Sequence, residues 1–172
     1  MLQKFCDGEF VFKEFTKEYV VHPKGLFIVA PSGSGKTHFM KRQKEKDWID
    51  GDVIWTATGA HPTTAWWNES LEVIFEINEK SDIITSQARK LGLWIMGASN
   101  AWLVPDAIIL PDWKTHQHYI QEREKNNYDG GATSRDFAKV FAHRGDLKKF
   151  ARKNHVKIFK TVEEAVEHLT KS

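Results

Sequence analysis

Apolar residues along the chain collect in short runs: Leu26-Phe27-Ile28-Val29-Ala30, Trp48-Ile49, Leu93-Trp94-Ile95-Met96, Ala107-Ile108-Ile109-Leu110 and Val156-Lys157-Ile158-Phe159. Brief apolar runs bounded by turn residues are the pattern of strands buried on both faces. Between them the pattern turns helical: from Lys36 to about Lys46, near 66–79, over 83–91 before Gly92, at roughly 114–127, over 134–153 with a break at Gly145-Asp146, and from Val162 to Leu169. Strands alternating with helices predict an α/β fold of three layers. Its parallel sheet has about five strands, helices cover both faces, and the crossovers are right-handed. The opening segment reads differently. Phe10, Phe12 and Phe15, then Thr16-Lys17-Glu18 as a turn and Tyr19-Val20-Val21, predict an N-terminal β-hairpin within residues 1–24.

Composition narrows the class. With 172 residues, 41% apolar and 12% aromatic, the chain suits one domain over 1–172 with a real core. The sequence has neither a run of eighteen apolar residues nor a signal-peptide core, so no membrane association is expected. Cys6 is the only cysteine, which excludes an internal disulfide and a cysteine-based zinc cluster and predicts a cytoplasmic protein. The net charge of +2 hides a segregation. Residues 50–82 hold seven acids (Asp50, Asp52, Glu69, Glu72, Glu76, Glu79, Asp82) against Lys80, whereas 139–160 hold eight bases against Asp146.

The chemistry centres on Ala30-Pro31-Ser32-Gly33-Ser34-Gly35-Lys36-Thr37, which follows an apolar run and opens a helix. In a G-x-x-x-x-G-K-[ST] loop, successive backbone N–H groups surround phosphate oxygens at the positive end of a helix. Gly33 and Gly35 permit the turn, Lys36 is placed to bridge the terminal phosphates, and Thr37 to put its hydroxyl on a magnesium ion. Ala30 stands in place of the first glycine. The expected nucleotide-binding residues are Pro31, Ser32, Gly33, Ser34, Gly35, Lys36, Thr37 and His38, with ATP and Mg2+ as cofactors.

A P-loop does not name a reaction. The order of elements, with a helix pair between the second and third strands and a gapped pair before the last, resembles the nucleoside monophosphate kinase superfamily, including shikimate and gluconate kinases and the kinase domain of polynucleotide kinases. The likeness runs from about residue 25 to 170 and is specific at the residue level only in the P-loop. It implies a three-layer P-loop kinase fold. Shikimate kinases carry Asp-x-Asp at the end of the second strand, where this chain has Asp50-Gly51-Asp52. By that resemblance Asp50 is the metal-shell carboxylate, completing a metal set with Thr37, and Asp52 is the base for an acceptor hydroxyl. The same three residues are also ordinary turn chemistry.

Kinases whose acceptor is a phosphate gather arginines around it. The sequence between Ile49 and Asp82 contains none, which favours a hydroxyl acceptor, although Arg89 on the next helix leaves a nucleoside monophosphate open. Trp55, Trp66 and Trp67, with His61 among them, could stack a flat ring or pack a core. The basic stretch Lys139 to Lys160 suits a nucleic-acid backbone and would equally suit ATP.

Phosphoryl transfer also needs cations from a mobile, water-excluding segment. The candidate lid is 123–144. Arg123 shares a helical stripe with His116, Tyr119 and Ile120 and resembles the arginine that begins the lid in many superfamily members. Arg135 follows an Asp129-Gly130-Gly131 hinge, and Arg144 interrupts the stripe of Phe137, Val140 and Phe141. His116 and His118, two apart, fall on different helix faces and do not make a metal pair. The reading is an ATP-dependent phosphotransferase acting on a hydroxyl of a nucleoside, a nucleic-acid strand (5′ end or hydroxymethylated base) or a sugar. A nucleoside monophosphate kinase and a non-catalytic ATP-binding module are the alternatives.

Overall fold

The computed structural model describes residues 8–126 and 131–171, with side chains from Phe12 onward. Cys6 and the Asp129-Gly130 part of the expected hinge lie outside the described residues. The architecture is α/β: a five-stranded parallel sheet in the order β2-β3-β1-β4-β5, with seven α-helices among the described residues. Strands are β1 (Leu26–Val29), β2 (Trp48–Asp50), β3 (Trp94–Gly97), β4 (Ala107–Ile109) and β5 (Ile158–Phe159). All four residues of β1 are buried, as a strand covered on both faces requires. None of the helices among the described residues is long and apolar enough to cross a membrane.

The chain divides into two compact units. The first holds the residues through Phe27 and Gln43–Leu103. Here the expected hairpin is replaced by helix α1 (Gly8–Glu18). The aromatic spacing that reads as alternation also satisfies a helical period. Phe12 and Phe15, three apart, are both buried, and Tyr19, four further on, stacks its ring 5.8 Å from that of Phe15. Strand β2 pairs with β3 in the register Trp48↔Trp94, Ile49↔Ile95 and Asp50↔Met96.

Asp50-Gly51-Asp52 is not a free turn but the start of helix α3 (Gly51–Ala57), missed by the sequence reading. Asp50 is its N-cap, and the Asp50 Oδ1 accepts from the Asp52 N–H at 2.9 Å. The expected helix near 66–79 and its partner at 83–91 are one helix, α4 (Leu71–Lys90), preceded by a 3-10 turn at Trp66–Asn68. Ser70 supplies the N-cap, accepting from the Val73 N–H, and this places the start later than periodicity alone suggested. A pair of helices does separate β2 from β3, but the pair is α3 and α4.

Two contacts organise this unit. Trp55 of α3 is fully buried and lies so close to the sheet end that a Cβ on Gly51 would come within 2.8 Å of its ring, and one on Gly97 would collide with it. Its indole N–H donates to the Thr85 hydroxyl of α4 at 2.9 Å. Asp82 of α4 is fully buried, and one carboxylate oxygen accepts the backbone N–H groups of Ala101, Trp102 and Leu103 at 2.8, 2.7 and 2.9 Å. Burial pushes its carboxyl above the usual range against the pull of those three donors.

The second unit holds Ile28–Arg42 and the residues from Val104 on. Strand β4 pairs with β1 (Ile28↔Ala107, Val29↔Ile108) and with β5 (Ile108↔Ile158, Ile109↔Phe159). Helix α2 (Lys36–Arg42) ends four residues before the expected Lys46. Helix α5 (Trp113–Lys125) and helix α6 (Phe137–Asn154) have about the expected limits, and α6 runs through Gly145-Asp146 without a break. His155, at φ 56°, terminates α6 in the left-handed conformation. Helix α7 (Val162–Thr170) is capped by the Thr161 hydroxyl.

The carboxylate of Asp82 makes a specific demand. Asp82→Ala is expected to leave three N–H groups, that of Leu103 buried, without their carboxylate and to cost about 1–3 kcal/mol in urea denaturation. Asp82→Asn retains an acceptor oxygen and should recover part of that loss; equal destabilisation by both would assign the effect to charge rather than to the three N–H groups.

Candidate phosphate-binding site

Strand β1 ends at Val29, Ala30 is fully buried, and the chain turns at Pro31, whose carbonyl accepts the Ser34 N–H at 3.0 Å. Gly33 and Gly35 take φ of 80° and 108°, a region that costs any residue with a Cβ. The loop then enters α2 at Lys36, and its residues differ sharply in exposure. Ser34 and Lys36 are buried, Ser32 and Thr37 are half-buried, and His38 is exposed beside Arg42, 3.1 Å away. The Ser34 hydroxyl is enclosed without a hydrogen-bond partner. Such a group inside a loop of this conformation fits a phosphate oxygen as its missing partner.

Helix α5 is seated directly on the loop. A Cβ on Gly33 would collide with the Ile120 side chain, and the His116 ring lies just beyond. The loop is held at Ser32. Its carbonyl bonds His116 Nε2 at 2.8 Å, while its hydroxyl accepts from the Ala132 N–H at 2.8 Å and from Arg123 Nη2 at 3.0 Å. The Arg123 Nη2 also donates to the Ala132 carbonyl at 3.2 Å. From α6, the buried Arg144 places Nη1 2.9 Å from His116 Nδ1 and its guanidinium 5.5 Å from the centre of the Trp113 ring. The Arg144 Nε is enclosed without a partner.

These contacts assign the proton on His116. A guanidinium only donates, so Nδ1 must accept; the ring hydrogen therefore sits on Nε2 and is donated to the Ser32 carbonyl. The imidazole is neutral. Burial lowers its pKa, the charges of Arg144, Arg123 and His143 push the same way, and the Ser32 bond opposes them. Burial also lowers the Arg144 guanidinium, opposed by Asp112.

Of the residues expected here, the structure brings Ser32, Gly33, Ser34, Lys36, Arg123 and Arg144 into one constellation or its immediate loop. Arg135 is exposed in a 3-10 turn (Ser134–Asp136) and makes none of these contacts. Tyr119, on the stripe expected to face inward, is 41% exposed, because the inward side of α5 is narrowed to His116, Ile120 and Arg123. The sequence reading missed His116 as the anchor of the loop. Its place on the stripe with Ile120 was the available signal, but the hydrogen bond to Ser32 spans 84 positions and has no local signature. Both of its ring nitrogens are engaged by the protein, so it is not placed as a metal ligand. Among the described residues no cluster of three or more His, Cys, Asp or Glu side chains could hold a metal ion.

Asp50 and Asp52 belong to the first unit. Asp50 is half-buried at the carboxyl end of β2 and caps α3, and Asp52 is exposed in its first turn. In the same unit Trp55 is core, and His61 lies 4.8 Å from its ring centre. Trp66 follows at 4.6 Å from His61, and Trp67, 6.1 Å from Trp66, reaches 40% exposure. The aromatic group is thus core at one end and exposed at the other.

No protein-family model matches this chain, and no curated protein sequence matches it.

The neutral His116 makes stability fall on acidification. Between its unfolded pKa of about 6.5 and its lower folded value, the unfolded chain binds the proton that the native imidazole refuses, so stability is lost as pH drops through that interval. Urea midpoints of the wild type and His116→Gln, which keeps a donor and an acceptor but does not titrate, should diverge to the wild type's disadvantage below about pH 6.5. A difference that is constant with pH would refute the neutral assignment.

Proposed function

We propose that the chain is an ATP-dependent phosphotransferase with the three-layer P-loop kinase fold, moving the γ-phosphoryl group to a hydroxyl of a nucleoside, a nucleic-acid strand or a sugar. The observation that carries this reading is the loop at Ala30–Thr37. It leaves a buried strand, places glycines at its two left-handed positions, encloses an unpartnered Ser34 hydroxyl and delivers Lys36 to the start of a helix. Backbone N–H groups at that helix start favour anionic oxygens.

In the proposed reaction ATP is the phosphoryl donor, and a bound Mg2+ would supply charge neutralisation at its phosphate oxygens. Lys36 balances charge at the terminal phosphates. The Thr37 hydroxyl and the Asp50 carboxylate are the groups that would hold the metal. Arg144 and Arg123 supply positive charge from α6 and α5. Asp52 takes the proton of the acceptor hydroxyl as the new O–P bond forms and the bond to the departing ADP oxygen breaks. Arg123 and Ala132, which bond Ser32, would shield that side of the loop from water.

Lys36→Ala is expected to abolish transfer of label from γ-labelled ATP to a panel of nucleosides, sugars and oligonucleotides, and EDTA should do the same to the wild type. Normal turnover in either case would remove the kinase reading. Asp52→Asn should bind ATP normally yet lose about 10²- to 10⁴-fold in kcat, the range of a general base. A phosphate acceptor needs no such base. Undiminished turnover by Asp52→Asn would therefore identify a nucleoside monophosphate kinase instead.

A further inference from the structure

The C-terminal half of α6 and the start of β5 carry a charge excess that the phosphate loop does not use. Lys148, Lys149, Arg152, Lys153 and Lys157 are all exposed, and none forms an ion pair among the described residues. By contrast Lys160, just beyond, pairs with Asp112 at 3.4 Å, and Arg144, one turn earlier, is buried toward His116. Asp146 is the only acid between 139 and 160. In a protein whose net charge is +2, this concentration is a local feature and not a reflection of overall composition.

Two of these cations also line a shaped surface. Lys148 and Arg152, one helical turn apart, line an open trough of about 410 Å³ together with Ala151, Val156 and Ile158. Ile158 is 39% exposed, on a strand that forms one edge of the sheet. Lys157 holds its ammonium 5.1 Å from the Phe159 ring centre, over the ring, and so stays at the surface.

We propose that this trough is a nucleic-acid-binding surface, gripping a strand through its phosphates without reading its sequence. A regularly charged polyanion matches cations that repeat along α6 and, with Lys157 beyond its end, form no ion pair among the described residues, and Arg152 offers a planar fork suited to a phosphate. The apolar lining of Ala151, Val156 and Ile158 accepts a sugar or base face, and with no aromatic ring among the lining residues the usual stacking element is missing. A peptide strand added to β5 is disfavoured because that strand has only two residues and offers too few main-chain bonds. Under the phosphotransferase reading, on which this further step rests, the surface selects a nucleic-acid strand over a free nucleoside or sugar as the bearer of the acceptor hydroxyl.

The test is fluorescence anisotropy of a labelled mixed-sequence oligodeoxynucleotide, without nucleotide, in rising salt. Five cations at about 0.7 per contact predict a slope of about −3.5 in log K against log salt, or about a hundredfold loss between 50 and 200 mM. Lys148→Glu/Arg152→Glu should flatten that slope by at least about 1.4 and weaken binding at least tenfold at low salt. Lys80→Glu/Lys90→Glu, the same charge change on α4, should leave binding nearly intact.

Equal loss in both double variants, competition by poly-glutamate as effective as by DNA, or tighter binding to anionic vesicles than to DNA would overturn the proposal. The two readings fail separately. A wild type that binds the strand but transfers no phosphate retains the surface and loses the phosphotransferase, whereas one that phosphorylates free nucleosides without binding DNA loses only the surface.

Discussion

Ser32 is the point from which the second unit is built. Its carbonyl and hydroxyl together receive His116 and Arg123 from α5 and the backbone of Ala132, which precedes α6. That arrangement depends on Gly33, since any side chain there would strike Ile120 and lift α5 off the loop. A backbone carbonyl turned outward to His116 also constrains the peptide that follows it, so the direction of the next N–H is set by a helix more than eighty residues away. The orientation of the loop is thus tertiary in origin, even though the glycines that allow it are local.

Arg144 explains how a buried guanidinium is tolerated beside a histidine. It meets a neutral imidazole that offers a lone pair, rather than a carboxylate, and rests against the Trp113 ring. Its charge is therefore not cancelled by an ion pair, which would weaken its field at the loop. The cost of enclosing it shows in the unpartnered Nε and in the lowered pKa of both groups. Buried polar atoms without partners are rare, and among the described residues this unit holds two, the Ser34 hydroxyl in the loop and the Arg144 Nε beside the histidine that holds the loop.

The first unit obeys a different constraint, close approach. Trp55 fits against the sheet end only because Gly51 and Gly97 have no side chains, and Asp82 replaces regular structure as the partner of three successive N–H groups after β3. Both devices hold loops at the carboxyl ends of strands, the edge at which parallel α/β sheets carry their ligands.

The strands were legible in the sequence because a buried parallel strand needs an unbroken apolar run, and that requirement is local. The loop at Ala30–Thr37 was legible for a similar reason: left-handed turns demand glycine at defined offsets. Helix limits were less so. One aromatic spacing fits both a hairpin and α1, and only burial of Phe12 and Phe15 on the same side decides for the helix. Asp50-Gly51-Asp52 reads as a turn until Asp50 is seen to cap α3. Among the arginines of the expected lid the sequence could name Arg123, Arg135 and Arg144 but not rank them. Ranking needed Ser32 and His116, whose partners lie far away along the chain. Chain-local rules therefore determined the sheet, the glycine-containing loop at Ala30–Thr37 and the segregation of charge. Which cations the loop engages, and which histidine holds it, were decided only by the packing of α5 and α6, because hydrogen bonds between distant residues leave no periodicity to read.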